Sequence, residues 1–162
     1  MLEFVGFTEA DTDAIRASAP LVLPHVDTLT AALYDHFLKF PRSARFFLHD
    51  DGSVDTVRLE RRKHSLGRFF RDTAELALTP EFSYSLLTIG LSHSHRPRGP
   101  GGTVPPHLMI GAMSLVESAL PSIFAADLPA ARVTAASVAW NKLLMVQLSV
   151  LLLGYLPTRP VA

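Results

Sequence analysis

The side chains best suited to chemistry in this chain are histidines at the end of an apolar helical run. Residues 84–113 read YSLLTIGLSHSHRPRGPGGTVPPHLMIGAM. His93 follows Ile89 by four residues, one turn further along the same helical face. A histidine in the last turn of an apolar helix presents a ring nitrogen to whatever lies over that face. Two readings stand open there: a ligand for a metal or cofactor, or a ring whose charged form simply favours a helix C-terminus. A second candidate, His64, falls with Val57, Glu60 and Gly67 at i, i+3, i+7 and i+10, which places all four along one face of another helix. Arg58, Arg61, Arg62 and Lys63 lie mostly off that face and read as a solvated basic strip.

These residues need helices to hold them, and the chain reads as helices with no convincing strand. Thr8, with Asp11 three residues on, resembles a capping box and opens a short helix over 9–18. After Pro20 and Pro24, Val26, Leu29, Leu33, Phe37 and Phe40 recur every three or four residues and predict a helix up to Phe40. Pro41 starts a brief turn over 42–48, ended at Asp50-Asp51-Gly52. Ser53 is placed to cap a long helix over about 54–76. Thr79-Pro80-Glu81 opens the helix that ends at His93. Pro105-Pro106 opens another to about Ala125, and Asp127 with Pro129 the last, which runs to Pro157.

Composition narrows the function. The chain has 162 residues, 48% hydrophobic and 19% charged, which suits one folded domain and argues against disorder. Fifteen basic residues balance fifteen acidic ones, so no nucleic-acid surface is expected. With no cysteine, disulfides, thiolate catalysis, iron–sulfur clusters and cysteine-ligated zinc are excluded. The first residues, MLEFVGFTEADTD, carry no basic and apolar leader pattern, and a cytoplasmic location is expected. Leu143–Leu156 is strongly apolar but shorter than the ~20 residues a bilayer crossing needs, so a core or subunit-contact helix is expected and no membrane span.

A resemblance to a known family joins these pieces. Ile89-Gly90-Leu91-Ser92-His93, the loop Arg96 to Val104, and Pro106-His107-Leu108-Met109-Ile110-Gly111-Ala112-Met113 resemble the segment carrying the proximal haem histidine in protoglobins and globin-coupled sensors. The loop length is nearer to protoglobins. Leu33-Tyr34-Asp35-His36-Phe37, followed by Pro41, Phe46-Phe47 and Asp51-Gly52, resembles the second helix of that family and the turn after it.

The resemblance covers about residues 20–156, with a short tail from 157. It implies an all-α globin fold, a helical sandwich around haem that binds O2, CO and NO. Residue by residue, it implies His93 as the proximal iron ligand and Tyr34 as a distal hydrogen-bond donor. His64 stands where the family has a bulky aromatic, so it is either a second donor or a direct ligand. Val57, Phe37, Phe69, Ile89 and Met113 are the expected walls of the cofactor pocket, and the basic strip is placed to attract haem propionates. The haem would be b-type, because no C-x-x-C-H attachment motif exists.

The family also implies a homodimer through the last two long helices, with Trp140, Leu143, Leu144, Gln147, Leu151 and Tyr155 as the expected apolar surface of the final one. Only five residues follow Pro157, so any signal is expected to pass through a separate protein. Two other readings remain: a non-haem globin-like regulatory module that binds a protein partner, and haem-dependent nitric oxide dioxygenase or peroxidase chemistry with an external reductase. A gas-binding protein is preferred to an enzyme.

Overall fold

Prolines and short polar caps set where the helices begin. In the computed structural model, which describes residues 1–95 and 101–157, Asp11 accepts hydrogen bonds from the Thr8 backbone N–H (2.8 Å) and hydroxyl (3.0 Å) at the start of α1, Glu9–Val22. That helix is longer than expected, because Pro20 is carried inside it. A short 3-10 turn, Leu23–His25, leads into α2, Val26–Leu38. Pro41 opens α3, Pro41–Ala44, continued by a 3-10 turn over Arg45–Phe47. The next helix, α4, is Thr56–Ala74, and its cap is Asp55, which accepts from the Arg58 N–H at 2.9 Å; Ser53 instead bonds Asp51.

Thr79 caps α5, Pro80–Ser94, accepting from the Phe82 N–H at 3.2 Å. Two further proline-led helices follow, α6 over Pro106–Phe124 and α7 over Ala130–Leu153. Among the described residues there is no strand, only an isolated bridge between Leu48 and Val54. Residues 96–100 of the expected loop, and 158–162 of the expected tail, lie outside the described residues.

The last helix is the hub of the packing. It lies against α1, α5 and α6, while α2 packs chiefly on α4. Trp140, Leu143, Leu144, Ile15, Val22, Val26, Phe70 and Phe124 are the largest fully buried apolar side chains. The Trp140 indole donates to the Ser18 hydroxyl at 2.9 Å, so its one polar atom is satisfied inside the core. Lys142 ties the same helix to α1 through Asp11 at 2.9 Å and to the Gly6 carbonyl at 2.8 Å.

This burial corrects the expected dimer stripe. Trp140, Leu143, Leu144, Gln147 and Leu151 are all buried within the chain's own core, and Tyr155 is half-buried. A helix apolar on nearly every side is covered here by three neighbours of the same chain, which leaves none of those five for a partner. Length is also corrected: α6 and α7 are each long and apolar enough to cross a membrane, yet α7 spends its apolar sides on intramolecular packing.

The feature that matters for function is a gap. Helices α4 and α5 follow one another through a tight reversal at Leu76, a left-handed residue with φ 53°, but they pack on other helices far more than on each other. A cavity of about 360 Å³ lies between them.

Candidate functional site

Two side chains singled out by sequence, Tyr34 and His93, lie outside the lining of the α4–α5 cavity and share one neighbour, Arg62. Tyr34, on α2, is buried, with its ring edge-on to Phe37 (centroids 5.5 Å apart) and Phe47 (5.3 Å). Two edge-to-face contacts fix the ring plane, so the hydroxyl is presented from a stiff support. Burial pushes its pKa up, with Arg62 acting weakly the other way, so the phenol stays neutral and can donate. His93, on the last turn of α5, is half-buried. Burial, and secondarily the Arg62 charge, lower its pKa to about 4. At neutral pH its imidazole therefore carries a free lone pair, the form that binds metals. Its Nδ1 is buried with no hydrogen-bond partner among the described residues.

The same cation acts on both groups, which places Arg62 of α4 near Tyr34 and His93 together. Arg62 was expected on a solvated strip; it is half-buried. Arg58 also leaves that strip, pairing with Asp55 at 3.1 Å with both side chains largely covered.

The expected face of α4 is rotated. Val57 is 79% exposed, and Glu60 and His64 are exposed beside it, with Glu60 holding Lys63 at 3.0 Å. Only Gly67 of that line is buried, against Val26, Asp27 and Arg71. Ser65, Phe69 and Asp72 line the cavity, and with Arg62 they fall at i, i+3, i+7 and i+10. The period is as read; the line is shifted by five residues, which turns it about 140° around the helix. The reason is that α4 must bury Leu59, Phe70 and Ala74 against its neighbours, and this fixes its rotation. Val57 and His64 therefore do not wall the gap, and His64 is not positioned here as a distal ligand.

The other expected pocket residues divide. Phe69 and Ile89 line the cavity, together with Leu86 and Phe82, whose ring stacks on Phe69 at 6.2 Å. Phe37 is half-buried beside Tyr34, and Met113 belongs to the main core. The His93 carbonyl accepts from the Val104 N–H at 2.9 Å, and a Cβ on Gly101 would lie 2.6 Å from the Arg45 carbonyl oxygen. The loop after His93 thus touches the turn beyond Tyr34.

Sequence reading missed the contact that seats α5. A Cβ on Gly90 would collide with the Leu151 carbonyl oxygen, and one on Gly154 would sit 2.6 Å from the Gly90 carbonyl carbon. The Ser94 hydroxyl lies 2.6 Å from the Gly154 carbonyl. The available signal was Gly90 itself, since an interior helical glycine costs about 1 kcal/mol against alanine and needs a packing reason.

The donor set can be tested against possible cofactors. Among the described residues no three His, Asp or Glu side chains gather into a metal site. One histidine with an unpartnered buried nitrogen, on the helix whose Phe82, Leu86 and Ile89 line the cavity opposite Ser65, Arg68 and Phe69 of α4, fits a metal that brings its other ligands with it. Haem is such a group.

Comparisons with known proteins agree with this geometry. The family model described as Protoglobin matches residues 1–159. No curated protein matches significantly. Among solved structures, the globin domain of the Geobacter sulfurreducens globin-coupled sensor is similar, with TM-score 0.73 and 20% identity over 95% of this chain and 94% of that one. At that identity the likeness establishes the globin fold.

Proposed function

We propose, from the premise that this chain belongs to the protoglobin family and so to the haem-based gas-binding globins, that it holds one haem b and reversibly binds O2, CO or NO. The observation that carries this reading is the pair formed by His93, with a buried nitrogen that has no partner among the described residues, and the buried phenol of Tyr34, both near Arg62. The haem, when bound, supplies the iron at which a diatomic gas is held.

The protein's part follows from its side chains. His93 offers its lone pair and stays deprotonated because its surroundings disfavour the charged ring. Tyr34 donates a hydrogen to a ligand that gains negative character, from a ring held by Phe37 and Phe47. Phe69, Phe82, Leu86 and Ile89 help keep water out of the gap. Arg62 supplies a fixed positive charge near both groups and suits the carboxylates of a porphyrin. With no cysteine in the chain, the haem is held without covalent attachment.

The reading extends to a cytoplasmic protein. It also extends to a homodimer on α6 and α7. Support for the dimer comes from the outer surface of those helices, where Ile110, Val138 and Leu153 are each about half exposed. Light scattering is expected to give about twice 17.7 kDa; the single-chain mass would remove the dimer.

The visible absorption spectrum of the purified protein tests the main reading. One haem per chain, with ferrous bands that shift reversibly on adding CO, is the expected result. A protein that takes up no haem on reconstitution overturns it and favours a regulatory module with a filled pocket.

A further inference from the structure

The most tightly determined contact near the site is not in the site. Helices α5 and α7 cross backbone to backbone, with Gly90 against Leu151 and Gly154 against Gly90 and Leu91. Neither glycine is there for its conformational freedom. Gly90 is inside α5, where alanine is the better helix former. Gly154 has φ −66°, ψ −10°, which any residue adopts. What both positions require is the absence of a Cβ.

One side chain locks the crossing. Ser94 lies within 2.9 Å of the Gly90 carbonyl of its own helix and 2.6 Å of the Gly154 carbonyl at the end of α7. It is the residue immediately after His93 and four after Gly90, so the clamp brackets the ligand on both sides in sequence. The middle of α7 is anchored by Lys142 to Asp11 and by Trp140 to Ser18. A displacement of the end of α7 must therefore carry the last turn of α5 with it.

We propose that the Gly90–Gly154 crossing and the Ser94 hydroxyl position the imidazole of His93, making the C-terminal end of α7 the element that sets the angle and distance of the proximal ligand. This rests on the reading of His93 as that ligand. Ser94 is a positioning residue, acting through His93. The proposal also gives α7 a second task beside its core packing: a shift of that helix on assembly reaches the cofactor through one hydroxyl and one glycine crossing.

The test compares Ser94→Ala and Ser94→Thr with Thr88→Ala. Thr88 bonds the Tyr84 carbonyl on the exposed side of the same helix and controls for a general loss of helix strength. The readouts are the iron–histidine stretching band of the ferrous protein by resonance Raman, the rate of haem transfer to a scavenger globin, and NMR of the His93 ring in the haem-free protein. Ser94→Ala is expected to move the band and to speed haem loss about two- to tenfold, the value of one hydrogen bond. In the haem-free protein it is expected to broaden or shift the His93 ring signals. Ser94→Thr restores all three, and Thr88→Ala leaves them unchanged.

Gly154→Ala is expected to move the band further, because the clash separates the two backbones, but it carries a folding risk that Ser94→Ala does not. An unmoved band and unmoved ring signals in Ser94→Ala, with the band present in the unaltered protein, overturn the positioning role and leave His93 as ligand. A haem-loaded protein with no iron–histidine band overturns the ligand assignment and this inference with it.

Discussion

The surroundings of His93 and of Tyr34 are built differently. On the proximal side, His93 sits on a helix held to α7 by backbone contact, where the fit is decided by glycines and one hydroxyl. On the distal side, Tyr34 is held by aromatic edges, and the α4 face opposite is a charged surface with Arg62 turned inward. Backbone contact tolerates no substitution that adds an atom. Aromatic edges and a long cation can repack. The proximal side is thus the rigid reference, and the distal side is where ligand preference can be tuned without loss of fold.

The largest expected effect breaks the proximal side. His93→Ala removes the only protein bond to iron on that side, and haem content after purification should fall to near zero or the spectrum change entirely. His95→Ala, at the exposed end of α5, should keep haem. If His93→Ala retains normal haem and an unchanged spectrum, the two sides have been named wrongly.

Next is the distal donor. Tyr34→Phe keeps the ring and its contacts with Phe37 and Phe47 but removes the hydroxyl. A hydrogen bond to a charged partner contributes about 1.5–3 kcal/mol, so dioxygen should leave roughly ten- to a hundredfold faster. Carbon monoxide, less polarised when bound, should respond less. Equal changes in both gases, or none, would remove the Tyr34 hydroxyl as a donor to the bound gas.

A smaller effect tests the anchor behind the proximal side. Asp11 is a partly covered carboxylate. Burial alone would raise its pKa, but Lys142 and the two Thr8 donors hold it below the usual range. Its folded pKa is therefore below the unfolded value near ~3.9, so its stabilisation is complete above that pH and is lost as pH falls through the folded value. Asp11→Ala should lower stability at pH 7 by about 1–2 kcal/mol, since it removes both a helix cap and an ion pair. The stability gap between the unaltered protein and the variant, from urea melts, should narrow at acid pH. A constant gap would mean that the carboxylate charge contributes nothing to holding α7.

The contrast also explains what could be read from the chain alone. Proline and cap signals gave every helix from Thr79-Pro80 to Ala130 within a residue or two, because those residues act on their own local backbone. The His93 and Tyr34 motifs were legible for the same reason, as fixed spacings inside one helix and its following turn. The rotation of α4 was not. Charges lie all round that helix, and the few apolar side chains that fix its face, Leu59, Phe70 and Ala74, are chosen by neighbours distant in sequence. Gly154 was missed for a related reason: its partner, Gly90, is on another helix, and nothing local marks the pair.

The smallest expected effect is also the sharpest check on that rotation. His64 was expected over the gap, and the fold puts it in solvent, about a third of a turn around α4 from the line through Ser65, Phe69 and Asp72. His64→Ala should then leave the ferrous spectrum, the CO spectrum and the dioxygen release rate within about twofold, as for a surface substitution away from special features. Arg62→Gln is its counterpart. Removing the cation that Tyr34 and His93 both feel should let the His93 pKa rise toward its ordinary value in the haem-free protein, while His64→Ala leaves it in place. Histidine NMR titrations of the two variants decide the matter. A ferrous protein that is six-coordinate without added ligand, and becomes five-coordinate in His64→Ala, would require α4 to turn by about a third of a turn when haem is bound. The distal side would then be the movable wall of the gap, and the proximal clamp the fixed one.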